Sequence, residues 1–299
     1  MNAVRLQFPL KTLDRRVLVP SGTSINRNFL KKFLKDLPKP SERLSPLFGH
    51  RRIEADLRDF CREKPFDALF CSSSWSREIF KIIAGCRVSP VFFEFLDYFE
   101  KFDFYTYRHS LIVYALSVQL ARLLEGLDEA RRISAMGPTH DFGKICVPHA
   151  TLVKSTPLTA TERACVEHHA IAGYLLLTYY RGQDREMAQR VARDHHERLD
   201  GSGYPARKKR LGCEIEIVAT ADVYDALISP RPYRRHGYDN RTALEELTAM
   251  TDAGKIHRRF VQGLVALNRR LTGDYRACKI SLEKRGCPPA ENCYGMIEA

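Results

Sequence analysis

Seven of the ten histidines fall between positions 109 and 196, where even scatter would place about three. They are His109, His140, His149, His168, His169, His195 and His196, and they ride on segments with helical periodicity. Leu111, Tyr114, Ala115, Val118, Ala121 and Leu124 recur at three- and four-residue steps, with Gly126 placed as a C-terminal cap. Further helices are predicted over Thr161–Tyr180, Asp184–His196 and Ile215–Leu227, separated by loops at Gly-Ser-Gly-Tyr-Pro, Ser229-Pro230 and Arg231-Pro232. Helical bundles build metal sites from side chains projecting inward from several helices, so ligands arrive in ones and twos a helix and a loop apart. The histidines have that spacing. One histidine on an apolar face is usually a satisfied core residue; four separated helices each offering one point instead to a shared cation. Imidazole with carboxylate suits iron, manganese or zinc better than calcium or magnesium.

The rest of the chain sets bounds on this reading. It has 299 residues, 44% hydrophobic and 28% charged, a globular composition with length for about two domains. Its most apolar stretch, Ile79 to Phe95, is interrupted by Lys81, Arg87, Pro90 and Glu94, so no membrane span is expected. The N-terminus lacks the apolar core of a secretory signal, which predicts a cytoplasmic protein, and nine cysteines without CxxC pairs read as free thiols. A net charge of +12 favours anionic partners: nucleic acid, anionic lipid or phosphate-bearing small molecules. Arg207–Arg210 and Arg234-Arg235-His236 read, by themselves, as solvated loop charges.

Residues 1–95 look like a small mixed α/β domain, regulatory in one reading. They hold a β-like run at Arg16–Pro20, a turn at Ser21–Thr23, a helix over Asn26–Leu37 stopped by Pro38–Ser41, and a helix over Arg77–Ala84. Residues 96–270 are strongly helical, and 271–299 form a tail with Cys278, Cys287 and Cys293. Three thiols cannot close a Cys₄ site.

Five motifs then appear in a telling order. They are His140-Asp141-Phe-Gly143-Lys144, His169 before Gly173, His195-His196-Glu197-Arg198-Leu-Asp200-Gly201-Ser-Gly203-Tyr204-Pro205, Ala221-Asp222-Val-Tyr-Asp225, and Arg231-Pro232-Tyr233-Arg234. Together they resemble the HD-GYP subgroup of the HD phosphohydrolase superfamily, over roughly residues 100–270. The resemblance implies a mainly α fold, an HD-type helical bundle behind the mixed N-terminal domain. It implies a dinuclear phosphodiesterase that hydrolyses cyclic di-GMP to linear pGpG, with full conversion to GMP less expected. Carried over, it implies metal ligation by His109, His140, Asp141, His169, His195, His196 and Asp222, with Asp141 bridging two divalent ions, iron or manganese before zinc. Tyr105 stands where three-metal relatives carry a Glu, hence the expectation of two ions. His168 is read as non-ligating and His149 as a loop residue near the site. Gly137-Pro138, where relatives continue a helix, is expected to kink the chain and shift His140.

Two ions about 3.5–4 Å apart lower a bound water's pKa from 15.7 toward roughly 7 and take up charge on the phosphoryl oxygens. Asp141 and Lys144 are the expected catalytic pair. Lys144, Tyr204, Arg231 and Arg234 are expected on the substrate, the arginines gripping the second phosphate as guanidinium forks. Asp200 and Asp225 are expected to orient ligands or loop backbone from behind. Two other readings stay open: a weakly catalytic binder or adaptor meeting a signalling protein through its Gly-Tyr-Pro loop, and an HD hydrolase of another nucleotide. Nucleic acid is the less favoured partner, and homodimerisation is left open.

Overall fold

The computed structural model describes residues 4–37, 43–70, 73–182, 186–231, 234–270, 274–281 and 283–290. Pro38–Ser41, Asp184, Pro232-Tyr233 and Cys293 lie outside the described residues. The fold is mainly α. Three two-stranded antiparallel ladders occupy the N-terminal part: β1 (Val4–Arg5) with β4 (Ser24–Ile25), β2 (Leu10–Lys11) with β3 (Val17–Val19), and β5 (Ser45–Pro46) with β6 (Arg87–Val88). Around them lie α1 (Arg27–Lys35), α2 (Ile53–Arg62), α3 (Asp67–Phe70), α4 (Ser73–Ala84) and α5 (Pro90–Phe102). Then come α6 (Phe104–Leu124), α7 (Leu127–Ser134), α8 (His149–Leu152), α9 (Ala160–Arg181), α10 (Met187–Asp194), α11 (Cys213–Ile228), α12 (Asn240–Asp252) and α13 (Arg258–Asn268).

Three helices carry the centre of the molecule. α6 and α11 are buried on nearly every face, and α9 over its C-terminal two-thirds, which is how a helix apolar all round must sit. Their ends are set locally. Asp103 caps α6 by accepting from the Thr106 amide at 3.2 Å, fixing the turn that presents His109. Thr159 and Glu162 form a capping box that starts α9, and Gly182 closes it in the left-handed region. Gly126, at φ 95, follows α6 and donates to the Ala121 carbonyl, as the sequence reading required.

The buried apolar residues from Leu6 to Cys278 form one continuous cluster. A division at residue 95 falls inside α5, whose Phe92 and Phe95 pack on Phe142 beside the histidines. The expected kink at Gly137-Pro138 is corrected too. α7 has already ended at Ser134, Gly137 turns the chain at φ 69, and His140 and Asp141 follow on a loop before a 3-10 turn, Phe142–Cys146. The proline therefore interrupts no helix.

Candidate metal centre

His109 on α6, His140 and Asp141 on the loop, His169 on α9, His195 and His196 after α10, and Asp222 on α11 converge on one buried point. Two ligand groups are resolved: His109 with His140 and Asp222, and His169 with His195 and His196, the donor atoms of each lying within 4.8 Å of one another. Asp141 stands between them. Its Oδ2 is 3.2 Å from His109 Nε2 and 3.4 Å from His140 Nε2, while its Oδ1 is 3.3 Å from His169 Nε2 and 3.9 Å from His195 Nε2.

Three of the rings are locked in one tautomer. His109 Nδ1–H donates to Asp225 Oδ2 at 2.5 Å, His169 Nδ1–H to the Val166 carbonyl at 2.5 Å, and His195 Nδ1–H to the Val191 carbonyl at 3.0 Å. Each ring therefore directs its Nε2 inward, the nitrogen that offers a lone pair to a cation when the ring is neutral. The inward nitrogens then crowd: His169 Nε2 is 3.4 Å from His195 Nε2 and 3.1 Å from His196 Nε2, and His140 Nε2 is 3.3 Å from His109 Nε2. Lone pairs facing at those distances repel unless a proton or cation sits between them. Asp141 Oδ2 is buried and lacks a hydrogen bond of normal geometry, although Lys144 Nζ lies 2.6 Å away as its counter-charge. The donor set and this orphaned oxygen fit divalent cations.

The electrostatics agree. Burial first, then neighbouring imidazoles, holds His195 down at about 3, and burial likewise lowers His169 and His196. These rings are neutral at pH 7. Burial opposes ionisation of Asp141 and Asp222, but Lys144 and the imidazoles of His140 and His109 outweigh it at Asp141, and His109, His196 and His195 outweigh it at Asp222, holding both carboxyls well below the usual range. His109 is the exception: burial disfavours its charge, yet Asp225, Asp141 and Asp222 push it up to about 10. In a centre without metal, its proton takes the place of positive charge that the surrounding carboxylates demand.

A family model for the HD domain matches residues 101–259, and so contains every one of these donors. The chain belongs to the HD-domain family. Its motifs are those of the HD-GYP subgroup. Over 109 residues it is 41% identical to the cyclic di-GMP phosphodiesterase response regulator RpfG of Xanthomonas campestris, covering 36% of this chain and 29% of that protein. Over 181 residues it is 34% identical to a cyclic di-GMP phosphodiesterase of Thermotoga maritima, 58% of this chain and 48% of that one. A 3'3'-cGAMP-specific phosphodiesterase of Vibrio cholerae is 35% identical over 133 residues, 44% of this chain and 30% of that one. The chain thus spans half or less of the length of these relatives.

Around the HD centre the remaining expected residues divide. Lys144 reaches Asp141 directly. Tyr204 stacks on His196, centroids 4.6 Å apart, so one face of its ring is a support for a ligand histidine. Arg231 lies with Cζ 4.3 Å over the Tyr105 ring, which stacks in turn on His109, placing a guanidinium at the rim. Arg234 requires correction. It is fully buried, and its Nη2 donates to the carbonyls of Ala226, Leu227 and Ser229 at 2.6–2.9 Å, at and just beyond the end of α11, where the Leu227 carbonyl also accepts from the Tyr238 amide. A guanidinium spent on three carbonyls inside the protein does not grip a phosphate. Nor is Lys208, in the Arg207–Arg210 run, a free loop charge, since its ammonium meets Asp194 at 2.6 Å. His168 packs edge-on against Phe8 outside both ligand groups, His149 is exposed, and Asp200 accepts from Ser202 within its own loop.

Two residues escaped sequence reasoning. Glu197 is buried, and its oxygens accept from the Ala206 and Lys208 amides, folding the Gly-Tyr-Pro loop back over the histidine pair. Gly143 presses the 3-10 turn onto α9, where a Cβ would lie 1.9 Å from the His169 carbonyl oxygen. The signal for both was their place beside the motif histidines: an acid directly after His195-His196, and a glycine two places after His140-Asp141.

Among the described residues no helix is long and apolar enough to cross a membrane.

Proposed function

We propose that this chain is a dinuclear metal-dependent phosphodiesterase that opens cyclic di-GMP to linear pGpG in the cytoplasm. The observation that carries the proposal is Asp141, whose two oxygens face two separate histidine groups. His109, His140 and Asp222 would hold one ion and His169, His195 and His196 the other, with Asp141 common to both. Divalent ions there, iron or manganese by ligand type, supply a nucleophile at neutral pH and neutralise charge on the phosphoryl group.

The protein's own groups do the rest. Asp225 keeps the inward lone pair of His109 available by holding the proton on Nδ1. Asp141 remains ionised next to Lys144, and the Lys144 ammonium, 2.6 Å from Asp141 and slightly exposed, would meet a non-bridging phosphate oxygen as a point charge. Arg231 offers the second phosphate a fork at the rim, a role for which Arg234 is replaced by its structural duty. Tyr204 braces His196 beside the ligand site.

Incubation of the metal-loaded protein with cyclic di-GMP, with products separated from pGpG and GMP standards, tests this. Asp141→Ala is expected to abolish hydrolysis and release at least one ion; an active variant with undiminished metal would overturn the bridging role. Tight binding without product would favour a sensor or adaptor instead. The 35% identity to a 3'3'-cGAMP-specific enzyme supports a second reading, cleavage of that mixed dinucleotide, and equal or faster turnover of 3'3'-cGAMP would select it.

A further inference from the structure

We propose that a groove between α2 and α4 is a second ligand site, for a nucleoside phosphate: a small phosphorylated anion carrying a flat ring. It lies at residues 58–84, outside the HD match at 101–259, and does not depend on the reading of the metal centre. The groove has a volume of about 770 Å³, within the range of small-molecule sites. Its walls carry Arg58 and Arg62 on α2 and Arg77 and Lys81 on α4, with Asp67 the one carboxylate lining it.

The spacing of these cations matters. Each pair is four residues apart, so each helix turns two positive charges toward one face, an arrangement that costs a few tenths of a kcal/mol when nothing neutralises it. Neutralisation is incomplete. Arg58 is matched by Glu54 at 2.8 Å, and Arg62 meets Asp59 only at 3.5 Å, with both side chains more than half exposed, so water screens that pair. Arg77 and Lys81 have no carboxylate partner among the described residues. The free charge therefore sits on α4, opposite Arg62, where phosphate oxygens would bridge the two helices.

Arg58 supplies the other half of the recognition. Its Nε and Nη2 both donate to Glu54 Oε1, at 3.0 and 2.8 Å, and its Cζ lies 4.2 Å from the centroid of the buried Phe80 ring. A guanidinium held flat in this way is a stacking platform, the means by which proteins take up nucleobases without reading their edges. Both walls are tied to α6: Tyr107 Oη donates to Asp56 on α2 at 2.9 Å, and Arg122 Nε to Glu78 on α4 at 2.7 Å. Occupancy is therefore linked to global stability and visible as a rise in Tm.

The test titrates ATP and inorganic pyrophosphate into the metal-loaded 299-residue chain by calorimetry, with Tm as a second readout. Two double variants are compared: Arg77→Glu with Lys81→Glu in the groove, and Arg27→Glu with Lys31→Glu, an equal charge change on exposed positions of α1. The metal centre is the same in both. Saturable ATP binding that weakens about tenfold or more in the groove variant and less than about threefold in the α1 variant is the expected result. Equal weakening in both, no weakening in the groove variant, or no saturable binding at millimolar ATP would overturn the site. Pyrophosphate is expected to bind more weakly than ATP, with Arg58→Ala removing the difference; equal affinity of the two in the parent protein would overturn the ring-stacking half.

Discussion

Gly143→Ala probes how the metal centre is assembled, because the whole perturbation is one methyl group that meets backbone and alters no candidate donor atom. Its Cβ would lie 1.9 Å from the His169 carbonyl oxygen and 2.5 Å from the Gly173 amide nitrogen. Both are α9 backbone, so neither swings aside. Reaching even the 3.0 Å limit of real contacts requires the 3-10 turn and α9 to part by 1.1 Å, the difference between 3.0 and 1.9. The turn is continuous with Asp141 and Lys144, and α9 carries His169, now 3.3 Å from Asp141 Oδ1. Overpacking of this kind costs about 1–3 kcal/mol, a fall in Tm of roughly 2–10 °C for a chain of this size. The larger consequence is geometric: a displacement of about 1 Å between groups that must act together costs on the order of 100-fold in rate. Calorimetry, metal analysis and turnover of cyclic di-GMP on the same preparation measure all three. A variant with an unchanged Tm and full metal content would refute the close approach, and full activity with a lowered Tm would refute the claim that this approach sets the Asp141–His169 distance.

Asp225→Asn keeps an acceptor for His109 Nδ1–H but removes the charge that makes the ring basic; ion affinity at the His109, His140 and Asp222 group is expected to fall about 10–100-fold while the other group keeps its ion. Uniform retention of both ions in a chelator titration would count against that. Arg234→Met is expected to lower stability by about 2–6 kcal/mol, at about 1–3 kcal/mol for each of the Ala226 and Ser229 carbonyls left unpaired, since Leu227 keeps its bond from the Tyr238 amide, and to leave KM unchanged in the folded fraction. A raised KM at constant Tm would return Arg234 to the substrate. His168 is held neutral by burial and then by His169, its pKa drawn down to about 4. Between pH 6.5 and 4 the unfolded chain binds a proton that the folded chain refuses, so stability falls as pH drops through that window, by up to about 1.4 kcal/mol per unit. His168→Phe is expected to flatten this acid limb in denaturant titrations, and an unaltered slope would show that the histidine is not the group responsible.

Arg231 and Arg234 show why the site was legible and where legibility stopped. The candidate donors are readable because clustered imidazoles with carboxylates are a recognisable ligand chemistry; clustering alone also drew in His149 and His168, the motifs narrowed the choice to seven positions, and those seven lie close together in the structure. The two arginines are chemically identical and three residues apart, yet one lies over Tyr105 at the rim and the other is buried against the end of α11. Nothing local distinguishes them. The difference arises from where the carbonyls of Ala226, Leu227 and Ser229 fall once α11 ends, a tertiary fact. The same reason explains the N-terminal region. A run such as Arg16–Pro20 is long enough to show β character and contains β3, whereas ladders of two residues have no period to detect and form only because their partners are brought near. Its helices bury Leu57, Phe60 and Phe95 in the same cluster as Leu111 and Ile112 of α6, a continuity across the change of pattern near residue 95 that no local pattern reports. Periodicity reports which face of an element is apolar, but not which neighbour will cover it. In this chain that choice of neighbour turned one arginine from a ligand contact into a helix cap.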